Sequence, residues 1–242
     1  EQIAQKAAEP RDETPKKAAK TLNKNRNKQA VKMAPLDLFV AAQDGNCGAM
    51  GRMIDGGVDV NALVENGNTS TITGQPVRTT ALCVAVTAKQ EAAAHLLLDR
   101  GADPNLANSL GGTPLMAAVK KESLPMVRLL IEDKAELNAV QPFTGFTAFH
   151  YSCLQGSADR AEALARAGCD TSLRDKAGRT GRDVAQAKGH TAVLERLDAL
   201  EKAEANRATQ RRWAKGTPVT IQGLKTASPH NGKRATIRRF VE

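Results

Sequence analysis

A chain of 242 residues with 41% hydrophobic content is long enough to bury a core, which excludes disorder throughout. Aromatic residues make up only 3%, so closely packed helices are expected in place of a sandwich of bulky strands. The net charge of +9 is unevenly placed: residues 1–33 hold nine Lys/Arg against four Asp/Glu, residues 34–206 hold 17 against 21, and residues 207–242 hold nine against one.

The first segment, residues 1–33, is polar, broken by Pro10 and Pro15, and too poor in apolar side chains to fold alone. It is expected as a basic extended tail. A segment of this kind is held most simply by acidic surface or phosphate. Lys16, Lys17, Lys20, Lys24, Arg26, Lys28 and Lys32 are its candidate nucleic-acid contacts.

From residue 34 the chain repeats itself. Thr80, Thr113, Thr147 and Thr180 stand 33, 34 and 33 residues apart and open the phrases "TALCVAV", "TPLMAAV", "TAFHYSC" and "TGRDVAQ". An earlier copy, "LDLFVAAQDGNCGAMGRMIDGGVDVN", occupies residues 36–61. Each unit predicts two helices. The first begins after the threonine, where Pro114 suits an initial turn because its missing N–H needs no partner there. The second carries a Leu-rich stripe, Leu96–Leu98 in one copy and Leu129–Ile131 in the next. Gly45, Gly156 or Gly189 marks the break between the helices, and Gly101 closes the second in left-handed geometry. The Asp103-x-Asn105 phrase then starts the turn and hairpin leading to the next copy. One such pair cannot cover its own apolar face, so copies must stack.

Between Asn61 and Thr80 the chain runs 11 residues longer than the period, through "VENGNTSTITGQPVR". A hairpin finger or loop is expected here, either as a tolerated surface insertion or as a contact for a partner. Farther on, "QPFTGFTAFHY" gathers three of the five phenylalanines and the only tyrosine. Phe149 and Tyr151 fall on core positions. Pro142, Phe143 and Phe146 fall on the hairpin between the third and fourth copies, where they serve either as exposed anchors for a protein partner or as local packing.

The last copy replaces a core leucine by Arg182 and runs into "VLERLDALEKAEANRATQRRW". It reads as a cap with a lengthened helix reaching the neighbourhood of Arg211. Beyond it, Val219 and Ile221 alternate with polar residues, as do Ala235 and Ile237, with Asn231-Gly232 between them. This predicts a short β-hairpin. The arrangement is similar to the opening of SH3-like or KOW-like barrels, but supplies two of about five strands such a barrel needs. Arg211, Arg212, Lys225, Lys233, Arg234, Arg238 and Arg239, with Trp213 ahead of most of them, form the second set of candidate RNA contacts, the alternative being a basic hairpin that is solvated or docked on protein.

The 33-residue period, the Thr-Pro-Leu start and the Gly-Ala-Asp-x-Asn close together resemble the ankyrin repeat. The resemblance implies an all-α repeat solenoid over residues 34–206, with repeats near 36–66, 80–111, 113–146, 147–179 and 180–206, flanked by the tail 1–33 and a basic extension 207–242 with its hairpin. It also explains the His-x-x-Cys spacing of His150 and Cys153: the histidine falls on the family's helix-start histidine and the cysteine on a small core position. His190 and His95 have structural roles by the same register, and Cys47, Cys83 and Cys169 are expected as packed thiols.

Chemistry of other kinds is not signalled. No phosphate loop, nucleophile elbow or His-Glu-x-x-His is present, the four cysteines show no metal or redox spacing, and no run of 18 apolar residues spans a membrane. No cofactor or catalytic residue is expected. A start at Glu1 fits both removal of a targeting segment and a beginning farther upstream. The chain is therefore expected to be an intracellular adaptor, cytoplasmic or in an organelle matrix, serving as a subunit of a larger assembly. A ribonucleoprotein such as a ribosome is one host; a protein-only respiratory, cytoskeletal or signalling complex is the other.

Overall fold

The computed structural model describes residues 34–214, with backbone only at 212–214. Its helices alternate with turns and hairpins in the order α1 (Pro35–Gln43), α2 (Cys47–Asp55), β1 (Val64–Thr69), β2 (Pro76–Thr79), α3 (Ala81–Thr87), α4 (Glu91–Asp99), α5 (Pro114–Lys120), α6 (Leu124–Glu132), α7 (Ala148–Leu154), α8 (Ala158–Arg166), α9 (Gly181–Ala187) and α10 (Thr191–Ala214). Two compact units meet in sequence at Asp103 and Pro104. Each is built on the same rule.

In the first unit α1 packs on α2 and α3, and α4 packs on both α2 and α3. In the second, α5, α7 and α9 form one stacked layer, and α6, α8 and α10 form the other. First helices of seven to nine residues are too short to persist alone in water. Their stability comes from burial: Leu82, Ala85, Val86 and Leu97 are sealed in the first unit, and Leu115, Met116, Leu130, Phe149 and Leu164 in the second. The small residues Ala94, Ala118 and Ala185, each without exposed surface, permit close approach of neighbouring helices.

The recurrent threonine is the N-cap. Thr80, Thr113, Thr147 and Thr180 accept the N–H three residues on, at 3.2 to 3.4 Å, satisfying one of the unpaired amides at each helix start. The break between the helices is left-handed at Gly45, Gly156 and Gly189, as expected; Lys89 and Glu122 hold φ of 59° in the same column, and Lys134 holds 63° after its second helix, in the column of Gly101 and Gly168.

The close of each repeat has a role that local turn chemistry did not show. Asn61 Oδ1 accepts the Asp103 N–H at 2.8 Å, Asn105 Oδ1 that of Glu136 at 2.6 Å, and Asn138 Oδ1 that of Asp170 at 2.8 Å. The asparagine binds its repeat to the next one instead of merely opening its own turn. Side chains near the helix–helix turns add further ties: Gln90 Nε2 donates to Gln43 O, Gln155 Nε2 to Lys120 O, and His190 Nε2 lies 3.1 Å from Leu154 O.

The insertion is a finger. Strands β1 and β2 pair antiparallel, Val64 opposite Thr79 and Glu65 opposite Arg78, with an irregularity before Thr69 meets Pro76. Val77 and Thr79 bury its base, and Ile72 at the tip is 64% exposed. At the other end of the chain Arg182 meets Asp198 and Glu201 of α10, so the charge that replaced a core leucine is paired across the cap. The C-terminal β-hairpin and the N-terminal tail lie outside the described residues.

Candidate protein-interaction surface

In the second unit, the hairpins joining successive repeats end in turns organised by a single polar side chain. Asn108, Gln141 and Asp175 hold this column, 33 and 34 residues apart. Asn108 Oδ1 accepts the N–H groups of Leu110 and Gly112 at 3.0 and 2.9 Å. Gln141 Oε1 accepts from Phe143 N–H at 3.1 Å, Thr144 N–H at 2.8 Å and the Thr144 hydroxyl at 2.8 Å. Asp175 Oδ1 accepts from Ala177 and Arg179 N–H at 2.8 and 2.9 Å, while its Oδ2 takes the Arg179 guanidinium through Nε at 3.0 Å and Nη2 at 2.8 Å. Each turn thus satisfies its own amides from within.

The tips are also joined to one another. Gln141 Nε2 donates to Leu110 O at 3.1 Å, and Lys176 N–H to Thr144 O at 3.1 Å. Contact is close enough that a Cβ on Gly145 would stand 2.6 Å from Lys176 N. The Pro142 ring closes over Gly111 in the same way, with Cδ 2.2 Å from where a Cβ would stand.

The aromatic candidates divide. Phe143 is 39% exposed, beside exposed Pro142 and with Val140 at 52%. Phe146 is not an exposed anchor: it is 9% exposed, stacks on His150 with centroids 5.4 Å apart, and meets Tyr151 edge-on at 5.2 Å. The physical reason is the Gln141 turn, which bonds Gln141 N–H to Phe146 O at 2.9 Å. That bond folds the returning strand over the helix start. Phe149 and Tyr151 are buried as expected, and Lys120 Nζ lies 4.0 Å over the Tyr151 ring.

His150 is structural. Its Nε2 lies 3.1 Å from Arg179 O, which can only accept, so this nitrogen carries the proton. Nδ1 then accepts from the Thr147 hydroxyl at 2.9 Å. Its neighbour Cys153 is sealed, and burial pushes that thiol up to about 12, as it does that of Cys169; Cys83 is raised by the same cause. Cys47 differs from the expectation of a packed thiol, being only half-buried at the start of α2. Among the described residues no cluster of His, Cys, Asp and Glu is arranged to hold a metal ion, and no helix is long and apolar enough to cross a membrane.

The basic side chains of this surface gather at one tip. Arg174, Lys176 and Arg179 are exposed at the fourth-copy hairpin, with Arg174 Nη1 donating to Gly178 O at 2.6 Å. Asp175 lies beneath them with its side chain 1% exposed. Desolvation acts most strongly on it and would raise its pKa, but the N–H groups of Arg179 and Ala177 together with the Arg179 guanidinium hold it below the usual carboxylate range. Among the remaining basic candidates, Arg211 is exposed on α10 and Arg212 continues that helix. Lys16, Lys17, Lys20, Lys24, Arg26, Lys28, Lys32, Lys225, Lys233, Arg234, Arg238 and Arg239 lie outside the described residues.

A groove of about 590 Å³ separates α6 from α8. Its charges neutralise each other: Arg196 meets Glu162 and lies 3.4 Å from Asp159, and Arg166 meets Glu162 at 2.7 Å. Those two arginines hold the Glu162 carboxyl below its ordinary range, Arg196 more than Arg166.

Comparison with known proteins matches the family described as ankyrin repeats (3 copies) over residues 38–141, 82–175 and 115–209. The chain is 39% identical over 97 residues to the B-cell lymphoma 3 protein homolog of Mus musculus, covering 40% of this chain and 21% of that protein. It is 38% identical over 80 residues to the ankyrin repeat and SAM domain-containing protein 6 of Rattus norvegicus, covering 33% and 9%. Against the cyclin-dependent kinase 4 inhibitor B of Bos taurus it is 34% identical over 110 residues, covering 46% of this chain and 83% of that inhibitor. The match thus spans about a fifth or less of the first two relatives.

Proposed function

Because the chain belongs to the ankyrin-repeat family, a family of protein-interaction modules, we propose that it is a non-enzymatic adaptor that binds a protein partner along its joined hairpin tips. One observation carries this reading: the tips are fixed to each other by Gln141–Leu110 and Lys176–Thr144 bonds while Val140 and Phe143 remain open to solvent. Anchors held rigid before binding lose little conformational entropy when a partner arrives. The relative named as a kinase inhibitor, matched over most of its own length, supports binding a protein as the module's work. Purification of the tagged chain under gentle conditions, followed by residue-level crosslinking, tests the reading. Partner crosslinks are expected at residues 108–112, 140–144 and 174–179. A bound partner with crosslinks confined to α4, α6 and α8 would overturn it.

The charge partition favours a second reading for the two ends. Residues 1–33 and 207–242 carry net +5 and +8 around a middle of −4, a distribution that suits ends fastened to a polyanion while the repeats hold protein. On this reading the host is a ribonucleoprotein and Lys16 to Lys32 and Lys225 to Arg239 contact RNA. RNase treatment should then release the chain from its assembly. Retention after complete RNA digestion, with no RNA crosslinks to either end, assigns the chain to a protein-only complex.

A further inference from the structure

We infer that the joined tips form a two-part seat for a short acidic peptide with an aliphatic or aromatic anchor, a deepening that rests on the adaptor reading above. The apolar part is Val140, Pro142 and Phe143; the cationic part is Arg174, Lys176 and Arg179. They are adjacent by construction. Thr144, next to Phe143, receives the Lys176 N–H at 3.1 Å, and Gly145 lies flat against the Asp175–Lys176 backbone.

Carboxylates offset this charge in part. Exposed Asp183, held low mainly by its bonds to Thr180, also interacts with Arg174, and Asp175 pairs with Arg179, which leaves Lys176 as the tip cation in no ion pair among the described residues. Asp175 is the one at the tip, and its side chain is buried and committed to Arg179. Glu136 and Asp170 sit at the bases of their hairpins, where their N–H groups join Asn105 and Asn138 of the preceding repeats. The tip therefore keeps a net positive charge, led by Lys176, for an anion arriving from solvent.

Length and ring exposure select the class of partner. Residues 34–206 carry 17 Lys/Arg against 21 Asp/Glu, so a long polyanion following the repeats leaves the cationic tip for acidic surface. A short acidic segment does not. Phe143 is 39% exposed and is, among the described residues, the one aromatic side chain exposed at the tips. That geometry suits an aliphatic or aromatic side chain wedged beside it and not successive bases stacked over open ring faces.

The test is selection of random short peptides displayed on phage against the full-length chain, followed by fluorescence anisotropy of the enriched sequences. Enriched peptides should place Asp or Glu within a few positions of Leu, Trp or Phe. Lys176→Glu and Phe143→Ser should each weaken them by about tenfold or more, with helical content unchanged. A charge-swapped peptide, Lys for Glu, should bind Lys176→Glu better than the parent chain. Peptides free of acidic residues, or peptides that bind both variants as well as the parent, overturn this seat while leaving the adaptor reading in place. Stronger binding of a single-stranded RNA homopolymer, lost in the same variants, overturns it in favour of nucleic acid.

Discussion

The Gln141 hairpin and the Ser70 finger both project from short stacked helices, but they are held in different ways. The hairpin is tied through its tip: Gln141 reaches the preceding hairpin, Thr144 receives the following one, and Phe146 packs beneath. The finger is tied through its base. Val77 and Thr79 are buried there, while the tip is ordered by its own Ser70, whose hydroxyl accepts from Ile72 and Thr73 N–H at 3.2 and 3.1 Å. A projection supported by neighbours keeps its shape at the point of contact; one supported only at its root keeps its position.

That contrast should be plainest when each projection loses its most prominent apolar side chain. Phe146→Ala removes buried ring packing and is expected to cost about 3–5 kcal/mol, whereas Ile72→Ala at the open tip should stay within about 0.5 kcal/mol. Urea unfolding of both variants measures the difference. Equal losses would mean that the finger tip is supported as well.

Beneath both projections the helices should behave alike. Leu97→Ala and Leu130→Ala, fully buried at equivalent places in the two units, should each cost about 2–5 kcal/mol. A surface-like loss at either one would break the shared register, and with it the basis for comparing what stands above.

Glycine separates the two projections more finely. Gly145 and Gly67 both sit in left-handed backbone, φ 76° and 77°, so alanine strains either by about 1–2 kcal/mol. Only at Gly145 would the new methyl meet neighbouring backbone, 2.6 Å from Lys176 N; at Gly67 it meets nothing. Gly145→Ala should therefore lower the thermal midpoint clearly more than Gly67→Ala.

The smallest effect concerns charge. Asp175 is held below the usual carboxylate range, so its ionised form stabilises the fold above that range and the contribution fades as pH falls through the depressed value. Asp175→Asn keeps the Oδ1 acceptor and removes the charge. The parent should exceed the variant in stability near about pH 7, and the gap should close towards about pH 3. A gap that widens on acidification would reverse the sign.

Much of this was legible because the threonine column sets helix starts by local bonding, and because a fixed period repeats every packing requirement. The cap of α10 was equally readable: Arg182 in a leucine position implies an uncovered face, and it pairs with Asp198 and Glu201 as that requires. Phe146 was misjudged because its register lies on a hairpin, while its burial depends on a turn held by Gln141. Glutamine carries no strong turn signal, and its three-donor cage exists only once Phe143 and Thr144 fold back on it. The asparagines 61, 105 and 138 were visible as residues but not as joints, since each acts on a backbone group 31 to 42 positions away. Proximity of the Phe143 and Lys176 tips is likewise a product of stacking, which no local window displays.

The Asn61 bond to Asp103 has a consequence for how this chain tolerates change. The finger leaves after Asn61 and returns at Thr80, the cap of α3, so both roots are pinned by contacts that take no notice of what lies between. Extra residues at Ile72 then add only the logarithmic entropy of closing a larger loop, about 0.6 kcal/mol for each doubling. The tip between Ser70 and Gln75 is thus a splice point, where length can drift or a foreign segment can be grafted while the repeats on either side keep count.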